Sequence, residues 1–562
     1  MNHPPQPALT GLAVLTVAAA ALALACAPSP APPPPAPPVA PPAVAPAPTP
    51  TPAGAQVKRG GKFLQGTHYN LPSWDPYTEG SGGFIQHTSY NTNSLMKWTL
   101  APGVQGVLCD LCEKWEQVDD KTYLFTLRKG VKFWGPEPLN GREMTAADVI
   151  WTYQHGGTDK PRFRYRGFFR DMEKMEAPDP YTLRITLKEP NVLFALQVAN
   201  PFYAILAREM GEKEADGVIQ TPHGTGPFAV TNWTVKVSVA SKRNPSYFEK
   251  DKPFLDEVEV LEIPDHPARF NALRAGRLDV GGSFMDASMR KTAAQDPRLT
   301  SAAAPRDTPG GIVVNLRRAP VSDVKVRRAL DLAIDRQALI DANYEGEGAA
   351  YRGLISGLFP QAAYSDAELA RLPGYRLPKE QDIAEAKKLL AEAGHPSGFK
   401  ITMMVGKTGR NVDDATLIRE DWKKIGVDVT LDVVDQAVEA ERQNAGEFDL
   451  DFASGAVAEG NLDPDITWAN WVPGTGKNAV WSGFTHAQWA TLVTQERREK
   501  DPAKRNAVFK QILKIWEDTL PAISTVTENR IQIWNKACNG IIAESGSGDT
   551  TRWIATDAWC NR

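Results

Sequence analysis

Signatures of metal binding and catalysis are scarce in this chain. Eight histidines are scattered over 562 residues with no H-x-H or H-x₃-H pair and no close Cys/His cluster, so neither a metal nor a haem centre has a ligand set, and no cofactor is expected. Isolated histidines such as His68, His87 and His486 are expected to be surface or internally satisfied groups. No G-x-S-x-G, H-E-x-x-H or P-loop occurs, which removes the familiar hydrolase and nucleotide-binding layouts. Acidic pairs such as Asp119-Asp120 and Asp413-Asp414 stand in polar, solvated contexts. The 63 basic and 67 acidic residues give a formal net charge of −4; without a basic surplus, nucleic acid is not an expected partner. After the first 25 residues no apolar run is long enough to cross a bilayer. There is no short-period internal repeat.

The N-terminus has no charged residue until Lys58. Leu9–Ala25 is apolar, short for a transmembrane helix, and followed at once by Cys26, as in a secretory signal segment. Leu22-Ala-Leu-Ala-Cys26 resembles a lipobox, in which the cysteine becomes the first mature residue and carries lipid. Ordinary cleavage after Ala25 is the alternative. Residues 26–55 would then hold the lipidated cysteine and a Pro/Ala-rich spacer, a composition that builds no core and favours extended polyproline conformations.

Four further cysteines remain, and an exported chain meets an oxidising compartment. Three connectivities are possible. Proximity favours Cys538–Cys560 at the C-terminal tail and Cys109–Cys112 near the start. Cys109-Asp-Leu-Cys112 lacks the surroundings of a redox-active pair, so a structural disulfide is expected.

The informative stretch is Leu111–Tyr153. In Thr122–Leu127, Tyr123, Phe125 and Leu127 alternate with Thr122, Leu124 and Thr126, the period of a strand. Arg128-Lys-Gly130 turns, Val131–Trp134 resumes the strand, and Thr145-Ala-Ala-Asp148 reads as a capping box opening a helix through Val149, Ile150 and Tyr153. This order, with L-R-x-G-V-x-F and T-A-x-D-V within it, resembles the family-5 extracellular solute-binding proteins, the dipeptide, oligopeptide and nickel receptors of ABC importers.

Further segments resemble the same family in the same order, from about Lys58 to Trp534. Asn70-Leu-Pro-Ser-Trp-Asp-Pro76 resembles its L-D-P loop, and Gly224-Thr-Gly-Pro-Phe228 its G-T-G-P-Y motif, with glycines expected for backbone angles that a side chain forbids. Asn244–Phe248, Phe254–Val260 and Arg269–Asp279 follow, the last with Gly276 at a helix C-cap. Pro320–Asp335, with Arg336, resembles the family's V-R-x-A-L-x-x-A-I-D-R helix; Val326, Leu330, Ala333 and Ile334 share one face, and Ser322 or Asp323 can cap it. Lys400–Val405 and Val427–Val433 read as strands around a helix Ala415–Ile425.

The resemblance implies an α/β, two-lobed, type II periplasmic-binding-protein-like fold with two crossing strands as hinge. Residues 1–25 would be the signal peptide, 56–306 the first lobe with a subdomain inserted at about 81–207, 307–521 the second lobe, and 522–562 the return. The crossings are expected near Thr308–Val313 and Ile523–Thr527. It implies a monomeric receptor, exported to the periplasm or the outer face of the membrane and held there by its lipid, which captures a small solute and passes it to an ABC permease complex. A peptide is the leading solute. An oligosaccharide or other non-peptide solute is the alternative, and a secreted hydrolase the alternative of a different class.

Three regions are expected at the cleft. The first is Trp74 with the loop Gly80-Ser81-Gly82-Gly83; the second is the strand end at Phe284. The third holds Glu459, Asp463 and Asp465 with Trp468, Trp471 and Trp481, where aromatic rings supply apolar area with few rotatable bonds. Removing Trp468 and Trp471 is expected to weaken binding and leave the fold intact. Peptide-binding members commonly carry A-D-Y-x-D-P with the first Asp on the ligand amine; Gly460 stands at that position here, so Glu459, Asp463 or Asp465 would have to supply the charge.

Overall fold

The computed structural model describes residues 57–561 except 78–81, 100–105, 159–165, 213–217, 283–284, 306–309, 354, 356–362, 408–409, 453–462 and 542–549. The lipobox cysteine Cys26 and the spacer lie outside the described residues.

Lys62–Thr67 runs parallel to Glu257–Glu262, which pairs with Ser238–Arg243, which pairs with Phe228–Thr234, the last two contacts antiparallel. Phe63, Val258, Val260 and Phe228 bury one face of this sheet, and the C-terminal helix Thr550–Asp557 covers it with Ile554 and Ala555. The Cys538–Cys560 disulfide ties down that tail by joining its two short strands. Both pairings favoured by proximity are present, the second being Cys109–Cys112.

Between the first of these strands and the other three lies an antiparallel sheet in the order Cys112–Gln117, Thr122–Leu127, Thr182–Leu187, Met172–Asp179. The alternation read from sequence sets its packing: Tyr123, Phe125, Leu127, Leu183, Ile185 and Leu187 are all buried in one core. Helix Ala146–Gly156 begins at Thr145, whose N–H donates to the Asp148 carboxylate at 2.9 Å, and Arg142 grips that carboxylate with two bonds of 2.8 and 2.9 Å.

Two local expectations change. Val131–Trp134 does not continue as a strand: Lys132 bridges Glu143 while Trp134 bridges Gly224, so alternate residues bond different partners as the chain turns into Gly135 and Pro136. Gly224 and Gly226 are required by space and not by their dihedral angles. Neither has a positive φ, but a Cβ on Gly226 would stand 2.3 Å from the backbone carbon of Asn91.

The remaining large sheet has the order Val427–Val434, Phe399–Gly406, Leu450–Phe452, Gly311–Val314, Ala522–Ser524. Phe399–Gly406 is parallel to both neighbours; Gly311–Val314 is antiparallel to both of its own. One face packs on the helices Val324–Ala333, Glu380–Glu392 and Asn411–Lys423 through Val326, Leu330, Ala386, Leu390, Ile418 and Trp422. Asp323 caps the first of these by accepting from Lys325 N–H. The other face packs on the helices Trp489–Arg498 and Pro502–Thr519 through Trp489, Phe509, Ile512 and Trp516.

Strand Val526–Asn535 links the two halves. Val526–Glu528 pairs with Gly348–Ala350 on the second side, and Asn529–Asn535 pairs with Leu299–Pro305 on the first. The Arg336 guanidinium fixes the approach to this strand, donating to the Ser524 carbonyl at 3.0 and 2.6 Å.

Candidate functional site

On the first half, the carboxyl end of Lys62–Thr67 meets the described parts of the first two expected regions, Gly82–Gly83 and Gly281–Gly282. Gly66 N–H donates to the Val280 carbonyl at 2.9 Å. Gly282 has φ +75°, and a Cβ there would fall 2.2 Å from the Gly66 carbonyl oxygen, so only glycine lets these segments meet. Arg269, fully buried, holds the turn with bonds to the carbonyls of Gly281 (2.7 Å) and Ile263 (2.9 Å). Burial lowers its guanidinium to about 10, still charged at neutral pH. Thr67 donates to Gln86 at 2.5 Å, which docks the helix Gly82–Thr88 here. Gly82 and Gly83 open that helix; Gly80, Ser81 and Phe284 lie outside the described residues.

Trp74 is a buried strut in this wall. Its indole is fully buried, donates to the His223 carbonyl at 2.9 Å and meets Trp134 edge-on at 6.1 Å. Its neighbour Asp75, unnoticed as an anchor in the sequence, is wholly buried against His155 at 2.9 Å and accepts from Tyr77 N–H at 2.9 Å. The L-D-P loop is therefore pinned at its base.

In the third region the structure redistributes the expected roles. Asp463 takes two 2.8 Å bonds from Arg505, and Asp465 takes bonds of 2.5 and 3.1 Å from Arg497. Arg505 also holds Glu496 at 2.7 Å. Burial and the adjacent Asp465 push Glu496 well up, so it keeps its proton; burial opposes the ionisation of Asp465, but Arg497 and the Glu496 hydrogen bond hold it below the ordinary carboxylate range. Two carboxylates thus balance two guanidiniums. Charge committed to such an internal network is not at the disposal of a ligand amine.

The tryptophans divide likewise. Trp468 and Trp471 are 1% and 0% exposed, packed on Phe509 at 4.7 Å and Trp516 at 4.8 Å within their own half. They are core residues, which corrects the expectation that their loss would spare the fold. Trp481 is half-buried, with its indole on Asn444 at 2.9 Å and Lys477 over its ring at 5.7 Å. Glu459 lies outside the described residues. Nothing in the sequence marked Arg497 or Arg505 as partners, since the acids they hold lie 32 and 42 residues away.

Among the described residues one group brings metal-ligand atom types within 4.8 Å of one another, Asp279 with Cys538 and Cys560. Both sulfurs are joined in the disulfide, so this is not a thiolate site.

Residues 107–479 match the model of the bacterial extracellular solute-binding proteins, family 5. The chain belongs to this family. As a family-5 solute-binding protein it is 29% identical, over 444 residues, to di/tripeptide-binding protein 1 of Pseudomonas aeruginosa, an alignment covering 74% of this chain and 79% of that one. Its fold is similar to that of the ABC transporter-associated periplasmic binding protein DppA of Helicobacter pylori in complex with the peptide STSA: TM-score 0.75, 23% identity, 90% of this chain and 99% of the other. The binding protein AgaA of A. tumefaciens in complex with agropinic acid gives a TM-score of 0.74 at 24% identity, with 89% and 99% covered. The fold is the two-lobed, type II α/β arrangement, with the sheets on either side of Val526–Asn535 as its lobes.

This solute-binding protein also carries a buried carboxyl at its second-lobe sheet. Asp451, wholly buried in Leu450–Phe452, accepts from Gln443 at 2.7 Å. Burial, with Glu439 nearby, pushes it up to about 8 from an ordinary value of 3.8. The folded state therefore retains a proton that the unfolded chain releases, so stability falls as pH rises from about 4 to about 8. Asp451→Asn should leave stability at pH 4 unchanged and raise it at pH 8 by on the order of 2–5 kcal/mol. Urea unfolding at the two pH values measures this; equal stabilities of variant and parent at pH 8 would mean that Asp451 is ionised in the fold.

Proposed function

We propose that this chain is an extracytoplasmic receptor that captures a short peptide between its lobes and delivers it to an ABC importer permease. In this reading it is exported, acts as a monomer and is tethered through lipid on Cys26 by the Pro/Ala-rich spacer. The observation that carries the peptide is the likeness, across about three quarters of the chain, to a relative whose own name is a di/tripeptide-binding protein. The fold shared with a binding protein holding a peptide supports it. The solute would lie where Gly66 meets Gly282 on the first lobe and beyond the carboxyl ends of Phe399–Gly406 and Leu450–Phe452 on the second, the usual crevice position in α/β folds. Closure on the solute is the signal a permease can read, because the solute favours the closed state.

A second reading, a non-peptide solute such as an oligosaccharide or opine-like conjugate, is favoured by one observation. Gly460 replaces the amine-binding Asp, and Asp463 and Asp465 are paired with Arg505 and Arg497, leaving Glu459 as the remaining acid of Glu459–Asp465. In either reading the chain binds and does not turn over its ligand. The two separate in a thermal-unfolding screen of the full-length chain after unfolding and refolding to strip bound solute. Ligand at about a hundred times its dissociation constant adds about 2.7 kcal/mol. The peptide reading expects midpoint shifts with di- and tripeptides; shifts confined to sugars or opines would replace it with the second.

A further inference from the structure

The inserted subdomain and the second lobe meet at a corner 16 residues past Trp481, the last residue of the regions assigned to the cleft. Helix Trp489–Arg498 ends there and helix Pro502–Thr519 begins, with Asp501 as its N-cap. Val192 N–H of the subdomain donates to the Arg497 carbonyl at 2.8 Å, Arg498 reaches Glu189 at 2.9 Å, and Lys500 reaches Asp120 at 2.5 Å. The cross-lobe pairs are complementary in sign: the second lobe presents Arg497, Arg498 and Lys500, and the subdomain presents Asp120, Glu189 and Asp171, the last within electrostatic reach of Arg497, while the subdomain's own Lys121 shares Glu189 at 3.9 Å. Arg498, Glu189, Lys500 and Asp120 are exposed, so none of these pairs is needed to build either core.

Arg497 faces both ways. Its carbonyl takes the subdomain's amide while its guanidinium is fixed on buried Asp465, and Asp465 belongs to the internal network of Asp463, Glu496 and Arg505. A backbone acceptor at the end of a helix is otherwise free to fray. Anchoring the side chain of the same residue in the lobe's interior holds that acceptor in position.

We propose that the corner Arg497–Lys500 is the catch that holds the inserted subdomain against the second lobe in the closed receptor, with Arg497 as its positioning residue. The catch adds closure free energy outside the solute site and so sets how tightly any solute is retained. Because exposed ion pairs contribute to it, the catch weakens as salt rises.

The test requires no ligand and therefore stands apart from the peptide reading. Hydrogen exchange of the Val192 amide in the full-length chain reports opening directly. Arg498→Glu places two acids together and should speed that exchange by about 3- to 10-fold, while amides of the central strand Glu257–Glu262 keep their rates. Glu189→Arg added to Arg498→Glu restores the pair with reversed polarity and should return Val192 to the parent rate. Arg497→Gln keeps the carbonyl but loses the anchor, and should speed Val192 exchange by more than it speeds the core amides of Phe399–Gly406, which report any general loss of second-lobe stability. No acceleration in Arg498→Glu, or none of it recovered in the double variant, overturns the catch; parent-like exchange in Arg497→Gln overturns the positioning role.

Discussion

Trp471→Ala is expected to destabilise the protein by about 3–5 kcal/mol, the cost of emptying a fully buried aromatic site. The ring is 0% exposed and stands edge-on to Trp516 at 4.8 Å and to Phe484 at 6.0 Å, between the second-lobe sheet and its outer helices. Collapse into the vacated space would need those two rings to move together, and Trp516 is itself held among Ile512, Trp489 and Phe509. Chemical denaturation measures the loss, and Trp471→Phe should recover a large part of it. Should Trp471→Ala keep parent-like stability yet lose solute affinity, the ring faces the cleft and its assignment to the core is wrong.

Arg505→Met is expected to cost a similar amount, about 3–5 kcal/mol, for an electrostatic reason. The guanidinium satisfies Asp463 through two 2.8 Å bonds and Glu496 at 2.7 Å, and both acids are buried or nearly so. Methionine fills much the same volume but removes the charge that offsets the burial of Asp463, which must then stay charged without a partner or take up a proton, while Glu496, already protonated, loses only an acceptor role. Adding Asp463→Asn to Arg505→Met should therefore recover most of the loss. If the double variant is as unstable as the single one, the deficit comes from packing and the charge balance drawn for this network fails.

Neither Trp471's burial nor Arg505's partners could be read from the sequence, whereas much of the local fold could. Period-two alternation located Thr122–Leu127 and Thr182–Leu187 and named their buried faces, because a half-buried strand must sort its side chains that way. The one-sided apolar pattern of Val324–Ala333 and its Asp323 cap were equally legible, for the same local reason. Family likeness came from the order of such units along the chain. What the cleft region does with its side chains was not legible, since the deciding partners are remote: Asp465 and Arg497 are 32 residues apart, Asp463 and Arg505 are 42, and Glu189 and Arg498 are 309. Trp468 and Trp481 look alike in composition; only packing reveals that one is core and the other half-buried. Gly226 showed that a glycine was needed but concealed the cause, the backbone of Asn91, which arrives from far along the chain.

Capture of a peptide by this family-5 receptor, as proposed, is tested most directly by calorimetric titration of the stripped, refolded full-length chain with defined di- and tripeptides. Saturable binding at one site per chain, with the peptide recovered intact afterwards, is the expected result. Absence of heat with every peptide alongside saturable binding of an opine or oligosaccharide, or recovery of cleaved peptide, would contradict it.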